Sequence, residues 1–520
     1  MNFQGGLDPE ATQDATGMMS ARLNPGWLLA AALMVLGIQN LLLWRFLNFA
    51  PFWSYPLAIG CFSAIALFMV KAASATVWRG PTLQTVLLLA CASLTIFLLG
   101  GEGRIFYSNA DWQVRDAVLH DLIVNPWPFV YLRSGTLELL RAPIGMFVIP
   151  AVFGKAFGFA AAEIALLVQN SLLLTLLLGL GSTLFARAQS RVIAFFVVVA
   201  FSGMDVIGQL QQSAVTGEAF PDHLERWAGS QFSSHITQAF WVPQHGMAGW
   251  FGALLFLLWR ERRISIGQMY ALLPMLMLLS PLGVMGTIPF AAAAGVAALW
   301  ERQLRPCDFV LPALTTLLCV PAIFYLGAGG GSVGFHLLRL QPATYLLFEI
   351  LEVLVFVLGV ALVFRADRRE ARTLLLVTAC LLAAPFGQLG EGMDFTMRVS
   401  IPALAILSVQ VARALSRAPE LGFSRRPART LLFSALAVGS VTGMFEVVRA
   451  VYFQASPRVQ CGLASLGHQV VELPRTSSNA TYIAPVDAVP TLIRPTRALI
   501  LRPDTDTACW DRPWKVARFG

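Results

Sequence analysis

The chain has 520 residues, 57% of them hydrophobic and only 13% charged, with a mean hydropathy of +0.67 and a net charge of +8. A soluble domain carries about 25% charged residues, so a water-soluble globular fold is excluded. The positive charge does not point to nucleic acid, because the basic residues sit in short clusters between apolar runs, where cytoplasmic loops of membrane proteins carry them.

Residues 1–26 read as a polar cytoplasmic lead without a signal-peptide pattern, with Met18 or Met19 as alternative starts. Apolar runs then repeat along the chain, each near the ~20 residues that cross a bilayer. Lipid cannot satisfy backbone hydrogen bonds, so these runs predict helices; the alternation of a membrane barrel is absent. The runs begin near residues 27, 56, 82, 160, 192, 246, 267, 284, 307, 343, 373, 399 and 430. Between them lie Lys71 and Arg79, then Arg187 and Arg191, Arg260 to Arg263, Arg302 and Arg305, Arg365 to Arg372, and Arg413 to Arg429. Placing every cluster in the cytoplasm gives about 13 spans over residues 27–450, the N-terminus inside and the C-terminus outside. Arg45 and Arg449 fall at outer ends and count against this arrangement. Pro281 and Gly283 leave a re-entrant hairpin as the alternative for 267–300.

The long polar loops 101–159 and 204–245 then face outward, with 327–342, 390–398 and the tail 451–520. All six histidines share that side. Ala142–Gly158 is apolar but interrupted by Pro150, and predicts an interfacial helix at the outer surface; the alternative is a buried lid. The proline-rich tail, with β-prone pieces at Thr481-Tyr482-Ile483 and Ala498 to Leu501, reads as a small extracytoplasmic cap. Cys461 and Cys509 share it and would pair in an oxidising compartment. Cys61, Cys91, Cys319 and Cys380 lie in apolar runs as packing residues. No metal-ligand spacing and no internal repeat occurs, so an inverted-repeat transporter gains no support.

Four outer segments carry residues suited to chemistry. Asp111, Trp112, Arg115 and Asp116 fall on one predicted helix, with Asp111 and Arg115 at i, i+4. A carboxylate beside an aromatic ring suits proton abstraction from a sugar hydroxyl; the alternative is an amphipathic helix whose charges face water. Arg141 precedes the interfacial helix, where a guanidinium suits a phosphate. His235, Gln244 and His245 lie in a polar, aromatic run before the sixth span, with Asp205, Glu218, Asp222, His223 and Glu225 upstream as undifferentiated second carboxylates or histidines. Asp394 and Arg398 form another i, i+4 pair, read equally as a phosphate site or an interfacial anchor. Glu349 and Glu352 are carboxylates in an apolar run and support a proton-coupled transporter instead.

The strings Asp111-Trp112 with Arg115-Asp116, Trp127-Pro128, and Asp394 through Pro402 resemble bacterial membrane proteins grouped with the GT-C glycosyltransferases, over roughly residues 80–415. The expected fold is therefore an all-α polytopic membrane protein, a GT-C-like bundle of about 13 transmembrane helices with extracytoplasmic interfacial helices and a small C-terminal extracytoplasmic tail. The resemblance implies a bacterial inner-membrane hexosyl- or pentosyltransferase of cell envelope polysaccharide. It would take its sugar from a polyprenyl-phosphate carrier and pass it to a glycan or lipid acceptor. Asp111 is the base by position, with Trp112, Arg115, Asp116, Arg141, His235, Gln244, His245, Asp394 and Arg398 as substrate contacts. No cofactor is implied, and a divalent metal stays open. The diagnostic WWDYG string is absent, and two spans rather than one precede the span leading into the acidic loop. The competing readings are a transporter, a flippase, or a polymerase or ligase of lipid-linked glycans.

Overall fold

The computed structural model describes residues 21–74, 78–133, 135–218, 220, 223–330, 334–389, 392–417, 426–466, 482–503 and 508–518. The polar lead up to residue 20, with Asp222, Glu391, His468 and Thr481, lies outside them. Helices dominate: α1 Pro25–Leu47, α2 Ser54–Ser74, α3 Leu83–Leu99, α4 Asp111–Val124, α5 Gly145–Phe157, α6 Phe159–Ser182, α7 Ala188–Ala200, α8 Asp205–Thr216, α9 His235–Trp241 and α10 Pro243–Arg260. The second half adds α11 Ile266–Leu276, α12 Pro281–Trp300, α13 Cys307–Gly327, α14 Pro342–Glu349, a π turn Ile350–Leu354, α15 Val355–Val363, α16 Arg368–Ala383, α17 Asp394–Val399, α18 Ile401–Arg417, α19 Arg426–Tyr452 and α20 Leu463–Leu466.

A helix stands at each of the thirteen expected starts, none displaced by more than five residues. Among the described residues, eight helical segments are long and apolar enough to cross a bilayer: Pro25–Leu47, Ser54–Ser74, Phe159–Ser182, Ala188–Thr216, Pro281–Trp300, Cys307–Gly327, Pro342–Val363 and Arg426–Tyr452. The chain is a helical membrane protein. The five remaining expected spans are shorter or less apolar: α10 has 18 residues, α3 and α18 have 17, α16 has 16 and α11 has 11. At 1.5 Å per residue, α11 covers about 16 Å, roughly half of a 30 Å hydrocarbon core. It gives way at Ser280, whose hydroxyl caps α12 by accepting the Gly283 N–H at 2.9 Å.

Ion pairs identify one end of the bundle. Glu370 at the start of α16 meets Arg413 of α18 at 2.9 Å and Arg260 at the end of α10 at 3.1 Å. Glu261 also pairs with Arg413 at 3.0 Å, and Arg262 reaches Glu301 at 3.4 Å. The arginine-bearing turns near 260, 301, 369 and 413, which the sequence assigns to one side, therefore meet. The opposite end gathers the start of α10, the Ser280 cap, α17 and α4. Gly286 of α12 brings that end together, because a Cβ there would strike the Val399 carbonyl at the end of α17.

The segment 101–159 also contains a hairpin, where no strand was expected. Strands β1 Phe129–Arg133 and β2 Thr136–Leu140 turn at Gly135 (φ 82°), and Arg133 pairs with Glu138 at 3.8 Å. Two tail strands, β5 Ile483–Pro485 and β6 Leu499–Leu501, flank it in the order β5-β2-β1-β6, with Leu139 opposite Ala484 and Phe129 opposite Leu499. Of the two β-prone tail pieces, the second supplies β6, while only Ile483 of the first enters a strand. Both strands form against the hairpin, because aromatic and aliphatic residues at 129–132 offer a pleated surface to cover. A second pair joins β3 Phe335–Leu337 to β4 Gly387–Leu389. Cys461 and Cys509 are disulfide-bonded. Helix α5 buries Met146, Phe147, Val148 and Ala151 and exposes Val152, Phe153 and Phe157. It is lid-like inward and apolar outward, a combination suited to a helix at the lipid boundary.

Candidate functional site

Asp111 is the first residue of α4, where an acidic side chain is favoured by the helix dipole. Its backbone N–H donates to Asn109 Oδ1 at 3.1 Å. Arg115, one turn on, donates from Nη2 to Asp111 Oδ2 at 3.0 Å. The pair is asymmetric: the Arg115 side chain is 2% exposed and that of Asp111 is 40% exposed. Arg115 Nε and Nη1 have no hydrogen-bond partner among the described residues. The guanidinium also lies 5.7 Å from the centre of the Trp112 ring. A buried cation thus holds an accessible carboxylate, with donors to spare.

The segment 204–245 is attached to this helix through one carbonyl. Phe240 O, in α9, accepts from Trp112 Nε1 at 2.9 Å and from Asn109 Nδ2 at 2.8 Å. Four residues later, Gln244 and His245 open α10 and are buried. His245 Nδ1 meets Ser280 Oγ at 2.7 Å, and the charges of Arg398 and Arg115 both act on its ring. Gln244 Oε1 has no hydrogen-bond partner among the described residues.

Arg398 donates to Asp394 Oδ1 at 2.9 Å within α17. The two Asp–Arg pairs, distant in sequence, both act electrostatically on one tail residue. Tyr482, in the tail, feels the charges of Arg115, Asp111, Arg398 and Asp394 together. Burial raises its phenol above the usual value, with the two arginines opposing and the two aspartates adding, so it is a neutral hydroxyl at pH 7. The sequence reading noted Tyr482 only as β-prone and overlooked Ser280, since neither stands near a charged motif in sequence.

The remaining expected residues go elsewhere. Asp116 does not join Asp111; five residues along a helix is about 140° around its axis. It binds Arg104 Nη2 at 2.8 Å, and burial raises its carboxyl in spite of that arginine. Arg104 also meets Glu163 at 2.5 Å and the Pro457 carbonyl at 2.7 Å. Arg141 gives its backbone N–H to the Tyr482 carbonyl at 2.7 Å and turns its guanidinium toward the Leu326 carbonyl at 3.4 Å. His235 is buried with Nδ1 2.5 Å from the Val198 carbonyl, its ring between Phe201 and Trp250. Burial pushes it down to about 4, so it is a neutral wall residue.

The second-carboxylate candidates form a separate buried network. Glu225 accepts from Gln231 Nε2 at 2.7 Å and the Ser234 N–H at 2.9 Å; Asp205 accepts from Ser202 and Thr442, each at 3.0 Å; Glu218 is exposed. His223 lies between Glu225 (3.4 Å) and Glu446 (3.2 Å), and Glu446 is also held by Arg449 at 3.0 Å and Trp241 Nε1 at 2.8 Å. This explains Arg449, which looked out of place at an outer end: its partner stands three residues before it. Burial pulls His223 down, but hydrogen bonds and charges from Glu225 and Glu446 outweigh it and hold it at about 9. That is above the ordinary 6.5, so its stabilisation is complete below pH 6.5 and lost as pH rises through about 9. The thermal midpoint is expected to fall over that window, by the equivalent of at most about 3 kcal/mol. In His223→Gln that slope should flatten; an unchanged slope would place the titrating group elsewhere.

No group of three or more histidine, cysteine or carboxylate side chains able to hold a metal occurs among the described residues. No protein-family model, no curated protein and no solved structure matches this chain.

Proposed function

We propose that the chain is a membrane glycosyltransferase of GT-C type. It takes a sugar from a polyprenyl-phosphate-type carrier and passes it to an extracytoplasmic glycan or lipid acceptor. The observation that carries this reading is the accessible Asp111 held at 3.0 Å by the buried Arg115, on a helix tied through the Phe240 carbonyl to the segment that carries Gln244 and His245. An accessible carboxylate, a neutral hydroxyl and two arginines suit hydroxyl attack on a sugar phosphate. Asp111 takes the acceptor proton as the hydroxyl oxygen bonds to the anomeric carbon. The bond from that carbon to the phosphate oxygen breaks, and the phosphate leaves with the electron pair. Arg398 offsets the negative charge growing there. Such a leaving group needs no strong acid.

In this reading all thirteen helices cross, in the bacterial inner membrane, with the arginine turns inside and the tail outside. The disulfide supports an outward tail, since such bonds persist in oxidising compartments. In a background lacking native free cysteines, Asp487→Cys and Arg262→Cys should react with an impermeant maleimide from opposite sides. Both positions are exposed, with side chains 98% and 76% accessible. Labelling of both from one side would remove the topology.

The reaction itself is tested with purified protein, a short-chain polyprenyl-phosphate sugar carrying a radiolabel, and a membrane glycan fraction as acceptor. Transfer that depends on Asp111 supports the reading; carrier translocation without transfer would move it to a flippase. One observation favours that second reading. Glu349 is 1% exposed and neither carboxyl oxygen has a hydrogen-bond partner among the described residues, directly before the π turn Ile350–Leu354. Buried carboxylates and π turns both recur at functional sites in membrane helices.

A further inference from the structure

The tail after Tyr452 reaches both ends of the helix that carries Asp111. At the N-terminal end, Trp514 Nε1 donates to the carbonyls of Ser108 (2.9 Å) and Asn109 (3.2 Å). Ser456 Oγ donates to the Ser108 carbonyl at 2.9 Å and accepts the Ser108 N–H at 3.2 Å. Near the C-terminal end, the Leu463 N–H donates to Asp121 Oδ2 at 2.9 Å, an oxygen that also accepts the Tyr131 hydroxyl at 2.8 Å. Asn109 in turn accepts the Asp111 N–H, so the hold on Asn109 passes directly to the first residue of α4.

These contacts come from parts of the tail that are far apart along the chain. Ser456 and Leu463 flank Cys461, while Trp514 follows Cys509. The Cys461–Cys509 bond spans a separation of 48 residues, and the Gln460 N–H reinforces it by donating to the Cys509 carbonyl at 2.8 Å. Between the two cysteines, Tyr482 leads into β5, and its carbonyl receives the Arg141 N–H. Trp514 is 7% exposed and Cys509 0% exposed, so this is a packed contact with donors and acceptors matched.

We propose that the C-terminal tail is a disulfide-closed strap that assembles the outer site: Trp514 and Ser456 position Asp111 through Ser108 and Asn109. Trp514 acts through the backbone before Asp111, and is a positioning residue. The strap's expected effect on turnover rests on the glycosyl-transfer reading, whereas its effect on accessibility does not.

The experiment uses the full-length chain in nanodiscs with Ala110→Cys as a reporter just before Asp111, in a background where the free cysteines are replaced. Trp514→Phe keeps an aromatic ring and removes both hydrogen bonds; Cys461→Ser with Cys509→Ser opens the loop. Maleimide labelling at residue 110 should be roughly ten-fold faster in Trp514→Phe, the factor expected for about one lost buried hydrogen bond, and faster still with the loop open. Turnover should fall by a similar ~10-fold in Trp514→Phe with KM for the lipid donor unchanged, because the contact acts on the base through the preceding backbone and not on the carrier. If the double serine variant does not fold, Trp514→Phe carries the test alone. Unchanged labelling in Trp514→Phe overturns the strap, whatever the activity. Faster labelling in a protein whose wild type transfers no sugar upholds the strap and removes the reaction.

Discussion

Asp111→Asn is expected to abolish glycosyl transfer while the protein still folds. The amide preserves the shape of the side chain and still accepts a hydrogen bond from Arg115, but it cannot take a proton. Loss of a general base costs about 10²–10⁴-fold, equivalent to roughly 3–5 kcal/mol of transition-state stabilisation. The folded state should hardly register the change. The Asp111 side chain is 40% exposed, and ion pairs with that much water contact contribute about 1 kcal/mol or less. Thermal midpoint and kcat should therefore separate, the first nearly unchanged and the second lost. Asp116→Asn supplies the contrast, since Asp116 faces Arg104 and its side chain is only 10% exposed. That variant should lose stability before it loses turnover. The reverse pattern, with Asp116→Asn inactive and Asp111→Asn active, would move the chemistry to the Arg104 side of the helix.

The helices were legible because lipid imposes one rule on every span: an apolar run of sufficient length closes its own hydrogen bonds. Hence all thirteen starts could be read from hydropathy, while lengths could not, as the 11-residue α11 shows. The Asp111–Arg115 and Asp394–Arg398 pairs were legible because i, i+4 spacing is a local property of a helix. The exclusion of Asp116 was legible too, from helical period alone, and the sequence reading did not apply it. What joins the pairs was not legible. The Phe240 carbonyl that ties segments 101–159 and 204–245 together is a backbone atom with no sequence signature. Tyr482 and Trp514 come from a proline-rich tail whose partners lie hundreds of residues earlier. Long-range strand pairing of this kind depends on which surface is left uncovered, and hydropathy carries no record of that. Glu446 and Arg449 fall between these cases, since their i, i+3 spacing was visible but their burial beneath Trp241 was not.

Glu370→Ala should be the most destabilising single change at the opposite end of the bundle. Glu370 meets Arg413 at 2.9 Å and Arg260 at 3.1 Å, and accepts the Gln410 amide at 3.0 Å. The side chains of Arg260, Arg413 and Glu370 are 5%, 9% and 5% exposed. Removing the carboxylate leaves two guanidiniums buried against each other, and breaking a buried pair in this way costs about 3–5 kcal/mol. Glu261 offers Arg413 a second partner at 3.0 Å, which keeps the loss from growing further. Glu301→Ala breaks the Arg262 pair, whose side chains are 76% and 50% exposed, and should cost less than about 1 kcal/mol. Denaturant unfolding in detergent micelles separates the two, and equal losses would refute the argument from burial. Replacing Arg260, Glu370 and Arg413 together by leucine or methionine should recover most of the stability, because the penalty arises from stranded charge and not from a missing contact. The consequence reaches the candidate site: α10 carries both His245 and Arg260, and α18 begins three residues after Arg398 and contains Arg413. A bundle loosened at Glu370 should therefore lose turnover along with stability, which the Asp111→Asn protein should not do.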